Sequence, residues 1–254
     1  MSRSPSQPRC DRSRSVSLPV GQRKAALRPL SGAEQLTLLD LDFGAPRERL
    51  LSQALSCVVP SMSVDVLHEL TLPDRHALVR AALVLEGTAV AEVTATCPGC
   101  EKQLEMSLDL REIMLPNLPR NAMVQVGRQK VRLPRPADLD AASDDDDLLA
   151  RLGMRRNKKA AEEKLAGSDP LADLEITGNC PECGNAVSSR HDIVAAWLIQ
   201  LRRRASSLLE EVHLLASRYH WAEHEILNLP ESRRRAYIDL CWEPEEVSWE
   251  EHGS

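Results

Sequence analysis

Apolar positions along the chain recur with two periods, and the change between them divides it into helical and extended stretches. Between Pro46 and Pro60, Leu50, Leu51, Ala54, Leu55 and Val58 share one stripe at helical spacing and predict a helix over 47–59. Leu78, Ala81, Ala82 and Leu85 predict another over 74–86, behind Pro73. Upstream, 17–30 reads as two short strands about a turn at Gly21. Ser31 and Glu34 then have the spacing of a capping box, in which each side chain satisfies the other's backbone N–H. A short helix running to Leu41 is expected from it. From Thr88 the period shortens to two. Residues 89–96 predict a strand that runs into Cys97-Pro98-Gly99-Cys100, and 103–109 a strand that leaves it. The arrangement returns at 174–179, Cys180-Pro181-Glu182-Cys183-Gly184 and 186–189.

Towards the end, Val194, Leu198, Leu201, Ala205, Leu208, Val212, Leu215 and Tyr219 alternate spacings of four and three, a heptad seam over about four heptads. A helix over 191–219 would be about 43 Å long. Such a seam can pack on its own domain or reach a partner, including another copy of the chain, so an oligomer through the long helix is one expectation. Trp221 and Pro230 then mark a break and two short helices. His213, His220 and His224 fall around that break and read as surface or packing residues.

The repetition extends beyond the cysteines. Residues 20–29 (VGQRKAALRP) resemble 126–135 (VGRQKVRLPR), and each stretch precedes a helix-forming segment and then a Cys-Pro-x-Cys. A degenerate internal duplication, hairpin–helices–knuckle used twice, accounts for this, with chance likeness of short basic strands as the competing account. Within the second copy, 141–166 is highly charged. Asp144, Asp145, Asp146 and Asp147 precede Arg151, Arg155, Arg156, Lys158 and Lys159, an order that suits the helix macrodipole. A solvated helix is expected there, with a loose connection around 167–170. The four aspartates lack the spaced oxygens and glycine of a calcium loop.

Composition narrows the function. The 254 residues carry a net charge of −6, so no overall field draws the protein to nucleic acid or anionic lipid. No apolar run approaches the ~18–20 residues that span a bilayer, and the first seventeen residues have no apolar core of a secretory signal. A cytoplasmic protein is expected, with residues 1–16, rich in Ser, Arg and Pro, as a disordered basic tail. All four tryptophans and both tyrosines lie from Trp197 onward, and Phe43 is the only other aromatic.

Seven cysteines, four of them in two Cys-Pro-x-Cys turns, indicate metal or redox usage rather than a disulfide framework. A redox pair opens a helix beside a βαβ unit, whereas here strands flank both turns. Each turn supplies half a tetrahedron, so Cys97, Cys100, Cys180 and Cys183 are expected to hold one structural Zn2+ at Zn–S distances of about 2.3 Å. Four thiolates leave no position for water or substrate, and no nucleophile–base pair or phosphate loop appears, so an enzyme is not expected. Cys57 reads as a small buried hydrophobe; Cys10 and Cys241 have no partner motif.

The segment 211–240 (EVHLLASRYHWAEHEILNLPESRRRAYIDL) resembles a signature of the baseplate proteins of contractile phage tails, of the T-even baseplate hub and assembly type, found also in phage-like contractile injection systems. In that family a long helix ends in a Tyr-Gly-Trp-like corner, followed by an "EaEIlaLP" helix and an "RRxxY" helix. His220 stands here where the pattern has Gly. The N-terminal hairpin–helix and the two knuckles fit the same resemblance, which covers about 17–242. It implies a non-enzymatic structural or assembly protein whose partners are other baseplate or tail proteins, residing in the cytoplasm of the producing bacterium or in the particle. Tyr219, Trp221, Ile226, Leu229, Arg234, Tyr237 and Trp242 are the expected partner-binding residues. The expected fold is α+β: two repeated β-hairpin/helix units (17–110 and 111–190) joined by a split four-cysteine zinc ribbon, then a long helix and two short ones (191–254). The alternative is a zinc-ribbon nucleic-acid-binding protein using the basic tail and the triplets Arg202, Arg203, Arg204 and Arg233, Arg234, Arg235. Those triplets lie among glutamates, which favours protein contacts.

Overall fold

In the computed structural model, which describes residues 14–41, 44–154 and 158–242, β1 (Arg14–Ser17) and β2 (Lys24–Leu27) form an antiparallel hairpin, with Ser17 opposite Lys24. The strand begins at Arg14, three residues inside the stretch expected to be a disordered tail, because backbone pairing needs no apolar side chains. The chain divides into two compact units. One comprises the residues up to Pro29 with Leu41–Gln200, the other Leu30–Asp40 with the residues from Leu201 onward.

In the first unit the hairpin is followed by helices; α1 (Gly32–Thr37) belongs to the other unit. The next is α2 (Arg47–Val58), whose stripe of Leu50, Leu51, Ala54, Leu55 and Val58 is buried as its spacing requires. A five-residue helix unforeseen in the sequence, α3 (Val64–His68), is capped by the Ser63 hydroxyl. The next helix, α4 (Leu72–Leu85), opens on three consecutive buried polar residues. Asp74 accepts from the Val20 N–H at 2.8 Å and from Arg23 at 2.7 Å. The fully buried Arg75 donates to Ser52 Oγ and to the carbonyls of Leu67 and Glu48, tying α2 and α3 to α4. His76 Nδ1 lies 2.8 Å from Asp169.

The knuckle hairpin β3 (Val90–Thr96) and β4 (Gln103–Asp109) follows, then the hairpin β5 (Met123–Val126) and β6 (Gln129–Arg132). Gly127, at φ +58°, opens the two-residue turn of the latter. After α5 (Pro136–Ala141), the charged region forms two helices rather than one, α6 (Asp145–Arg151) and α7 (Lys158–Ser168). Asp144 caps α6. Leu149, Leu152, Met154 and Ala161 pack with Val124, Val126, Val131 and Leu133 into one core, so these helices are not wholly solvated. Nor is the connection after them loose: Ser168 completes α7, and Asp169 is buried against His76. Arg155 and Arg156 lie outside the described residues. A second knuckle hairpin, β7 (Leu174–Asn179) and β8 (Ala186–His191), completes the recurring order of hairpin, helices and knuckle hairpin.

Next, α8 (Ile193–Tyr219) begins in the first unit and continues in the second, followed by α9 (Glu223–Asn228) and α10 (Glu231–Trp242). Its 27 residues extend about 40 Å. The seam from Val194 to Leu215 is buried throughout. The chain itself covers that stripe, the first of the two arrangements such a seam allows. In the second unit, Leu208, Val212, Leu215 and Ile226 form the core, with Leu36, Tyr219, Trp221 and Tyr237 packed around them. The capping box of Ser31 and Glu34 opens α1 as its spacing predicts. Gly32 lies against α9, where a Cβ would come within 2.7 Å of the Leu227 carbonyl oxygen. Among the described residues no helix is long and apolar enough to cross a membrane.

Candidate metal centre

Strands deliver the four cysteines. β3 ends one residue before Cys97, and β7 ends one residue before Cys180. Each turn then closes with the same two backbone bonds. Cys97 N–H donates to Lys102 O and Glu101 N–H to Cys97 O, both at 2.9 Å; Cys180 N–H donates to Asn185 O at 2.8 Å and Gly184 N–H to Cys180 O at 2.9 Å. The residue after the second cysteine is left-handed in both, Glu101 at φ +60° and Gly184 at φ +74°.

The two knuckles meet about an approximate two-fold relation. β3 lies against β8, and β4 against β7. Cys97 Sγ is 3.4 Å from Cys183 Sγ, and Cys100 Sγ is 3.6 Å from Cys180 Sγ. Outside the thiols the exchange repeats. Gly99 faces Asn185, so closely that a Cβ on Gly99 would lie 1.8 Å from Asn185 Nδ2. Glu182, the counterpart of Gly99, pairs at 2.9 Å with Lys102, the counterpart of Asn185. All four sulfurs lie within 4.8 Å of one another, far outside the ~2.05 Å of a disulfide and around the ~3.8 Å edge of a tetrahedron with metal–sulfur bonds of about 2.3 Å. The donor set therefore fits a single four-coordinate metal ion. Cys97 and Cys180 are buried, Cys100 is half-buried and Cys183 exposed, so the site sits at the surface end of the hairpin pair, over Val187, Leu104 and Met106.

Cys97, Cys100 and Cys183 hold their protons unequally. The Gly99 N–H, donating to Cys97 Sγ at 3.4 Å, leads in pulling the Cys97 thiol down to about 6, helped by the Cys100 N–H and the neighbouring thiols. The Asn185 N–H favours ionisation of Cys183, but the hydrogen bonds it shares with the other thiols, Cys97 foremost, and burial push it up to about 12. Cys100 is raised as well, against the pull of the Lys102 N–H. Once one sulfur is charged the others resist, and a bound cation is what would let all four ionise together.

Of the other expected site residues, Tyr219, Trp221 and Tyr237 are brought together in one aromatic cluster. Tyr219 stacks on Trp221 at 4.8 Å between ring centroids, and Tyr237 stands edge-on to Trp221 at the same separation. His220, between Tyr219 and Trp221 in sequence, is left-handed at φ +56°, so the corner forms without glycine. Two of the expected partner-binding residues are engaged within the unit. Ile226 is fully buried in the core of the second unit. Arg234, 4% exposed, donates to Glu211 at 3.0 Å and to the Leu229 carbonyl at 2.9 Å; both residues serve the unit's own packing. Leu229 is half-buried and Trp242 is 75% exposed. His213, His220 and His224 are exposed. Cys57 is only half-buried, its thiol on the Gln53 carbonyl, and Cys10 lies outside the described residues. The buried pair His76–Asp169 went unseen in the sequence, where its members stand 93 positions apart.

Comparison with protein-family models, curated proteins and solved structures finds no match to this chain.

Proposed function

We propose that this chain is a non-enzymatic structural or assembly component of a contractile-tail baseplate, held together by one structural zinc and acting through protein–protein contacts. The observation that carries the zinc half is the four-thiolate cluster built by two knuckles of the same backbone design. Sulfur donors in tetrahedral array suit zinc or an iron–sulfur centre; all four sulfurs lie within 4.8 Å of one another, room for one ion rather than a sulfide-bridged cluster, and we take that ion to be zinc. Cys97, Cys100, Cys180 and Cys183 would hold it, and its contribution would be to folding rather than to chemistry, since four thiolates fill its coordination shell.

The baseplate half rests on the resemblance of 211–240 and is supported by the corner there. A long helix stops at Tyr219, one left-handed residue reverses the chain, and the aromatic cluster folds two short helices back against it. This is the kind of rigid, preorganised surface that a scaffold presents to neighbouring subunits, with Trp242 as its exposed aromatic. Metal analysis of the purified protein is expected to give one zinc per chain, and a coloured iron-containing product would refute that half. Mass spectrometry of purified tails from a host encoding the chain tests the other. Stoichiometric copies would mark a particle subunit, copies confined to tail precursors an assembly factor, and absence from both would end the baseplate reading.

A further inference from the structure

In the first unit, the tip of the β1–β2 hairpin, α3 and the segments entering β5 and leaving β6 enclose a cleft of about 690 Å3. Its floor is apolar, built from Val20, Val66 and Leu70, and Val66 is 50% exposed. Arg23, Arg120 and Arg135 stand around it, and they differ in what they hold. Arg23 is engaged by Asp74 at 2.7 Å. Arg135 reaches Glu69 through Nη1 at 3.3 Å, while its buried Nε has no partner. Arg120 has neither a hydrogen bond nor an ion pair among the described residues. Its stem is nonetheless held in place. It lies across Gly21, where a Cβ would come within 2.5 Å of Arg120 Cγ. Thr71, 4% exposed and also lining the cleft, caps α4 through its backbone alone.

Arg120 holds an exposed, positioned guanidinium without a carboxylate, and the buried Arg135 Nε lacks a partner that a ligand's oxygen would supply. We propose that this cleft docks a short acidic segment of a partner protein, with a carboxylate at Arg120 and Arg135 and apolar side chains on Val66 and Leu70. The apolar floor argues against a bare anion. Asp65 and Glu69 on the rim and the net charge of −6 argue against a polyanion such as RNA, while a single carboxylate between arginines tolerates both. The inference concerns a site apart from the metal and from the aromatic corner, so its failure would leave the proposed function standing.

The test is selection of a random heptapeptide display library on the full-length protein, in parallel with Arg120→Glu and Arg135→Gln proteins whose circular dichroism matches the parent. Enriched peptides are expected to pair Asp or Glu with Leu, Ile or Val. A labelled enriched peptide should bind each variant about tenfold more weakly or worse. It should also resist displacement by inorganic phosphate. Enrichment without acidic residues, enrichment undiminished in both variants, no enrichment at all, or displacement by phosphate alone would each overturn the proposal.

Discussion

In the first knuckle the glycine sits between the cysteines, at Gly99; in the second it follows them, at Gly184. The backbones around the two are hydrogen-bonded alike, so the difference lies in what each turn must avoid. Gly99 faces the exposed Asn185 amide of the other knuckle, which would have to swing aside for a side chain. Its counterpart Glu182 faces Lys102 and finds an ion pair instead. Gly184 takes up the left-handed conformation without strain, whereas Glu101 adopts it as a residue with a Cβ. One backbone design thus meets two constraints, closeness and handedness, and each knuckle uses its glycine for a different one.

The sharpest way to break the pair is to remove a sulfur from either half. Cys180→Ser in the zinc-loaded protein puts on the order of 10 kcal/mol of metal-binding free energy at stake; zinc content is expected to fall to near zero, with early thermal unfolding by circular dichroism. Cys97→Ser should do the same, and a large difference between the two would mean that the halves do not share one ion. The next effect is steric. Gly99→Ala should cost about 1–3 kcal/mol by overpacking against Asn185, read as a lower urea midpoint, and adding Asn185→Ala should restore most of it. Handedness comes third. Glu101→Gly is expected to stabilise by about 1 kcal/mol and Gly184→Ala to destabilise by a similar amount; equal and opposite urea shifts would show that the two turns carry the same backbone demand. The smallest effect belongs to the Lys102–Glu182 pair, whose side chains are more than half exposed. Lys102→Met should move stability by no more than about 0.5 kcal/mol and lessen its response to salt.

Elements whose signal is local were legible in the chain. The knuckles, their flanking strands and the stripes of α2 and α4 depend on residues a few positions apart, and β4 and β7 fall where their alternation puts them. What depends on distant partners was not legible. Charge density marks 141–166 as solvated, yet four apolar residues among the charges, Leu149, Leu152, Met154 and Ala161, suffice to anchor helices on a core assembled from another hairpin. Arg75 looks like a surface residue of α4 until α2 and α3 supply its acceptors. Nothing near Arg234 in the sequence announces Glu211, the acceptor it finds 23 positions away. The spacing of the cysteines named the donors, but their crossed arrangement, Cys97 with Cys183 and Cys100 with Cys180, exists only once the hairpins have met.

That crossing sets a schedule for biosynthesis. The cross-paired sulfurs are 80 and 86 residues apart, so at about 5–20 residues per second the ribosome leaves the first knuckle waiting roughly 4–17 s for its mate. During that interval the nascent chain carries two thiols and half a tetrahedron, open to metal exchange, and only the emergence of the second knuckle ends the exposure.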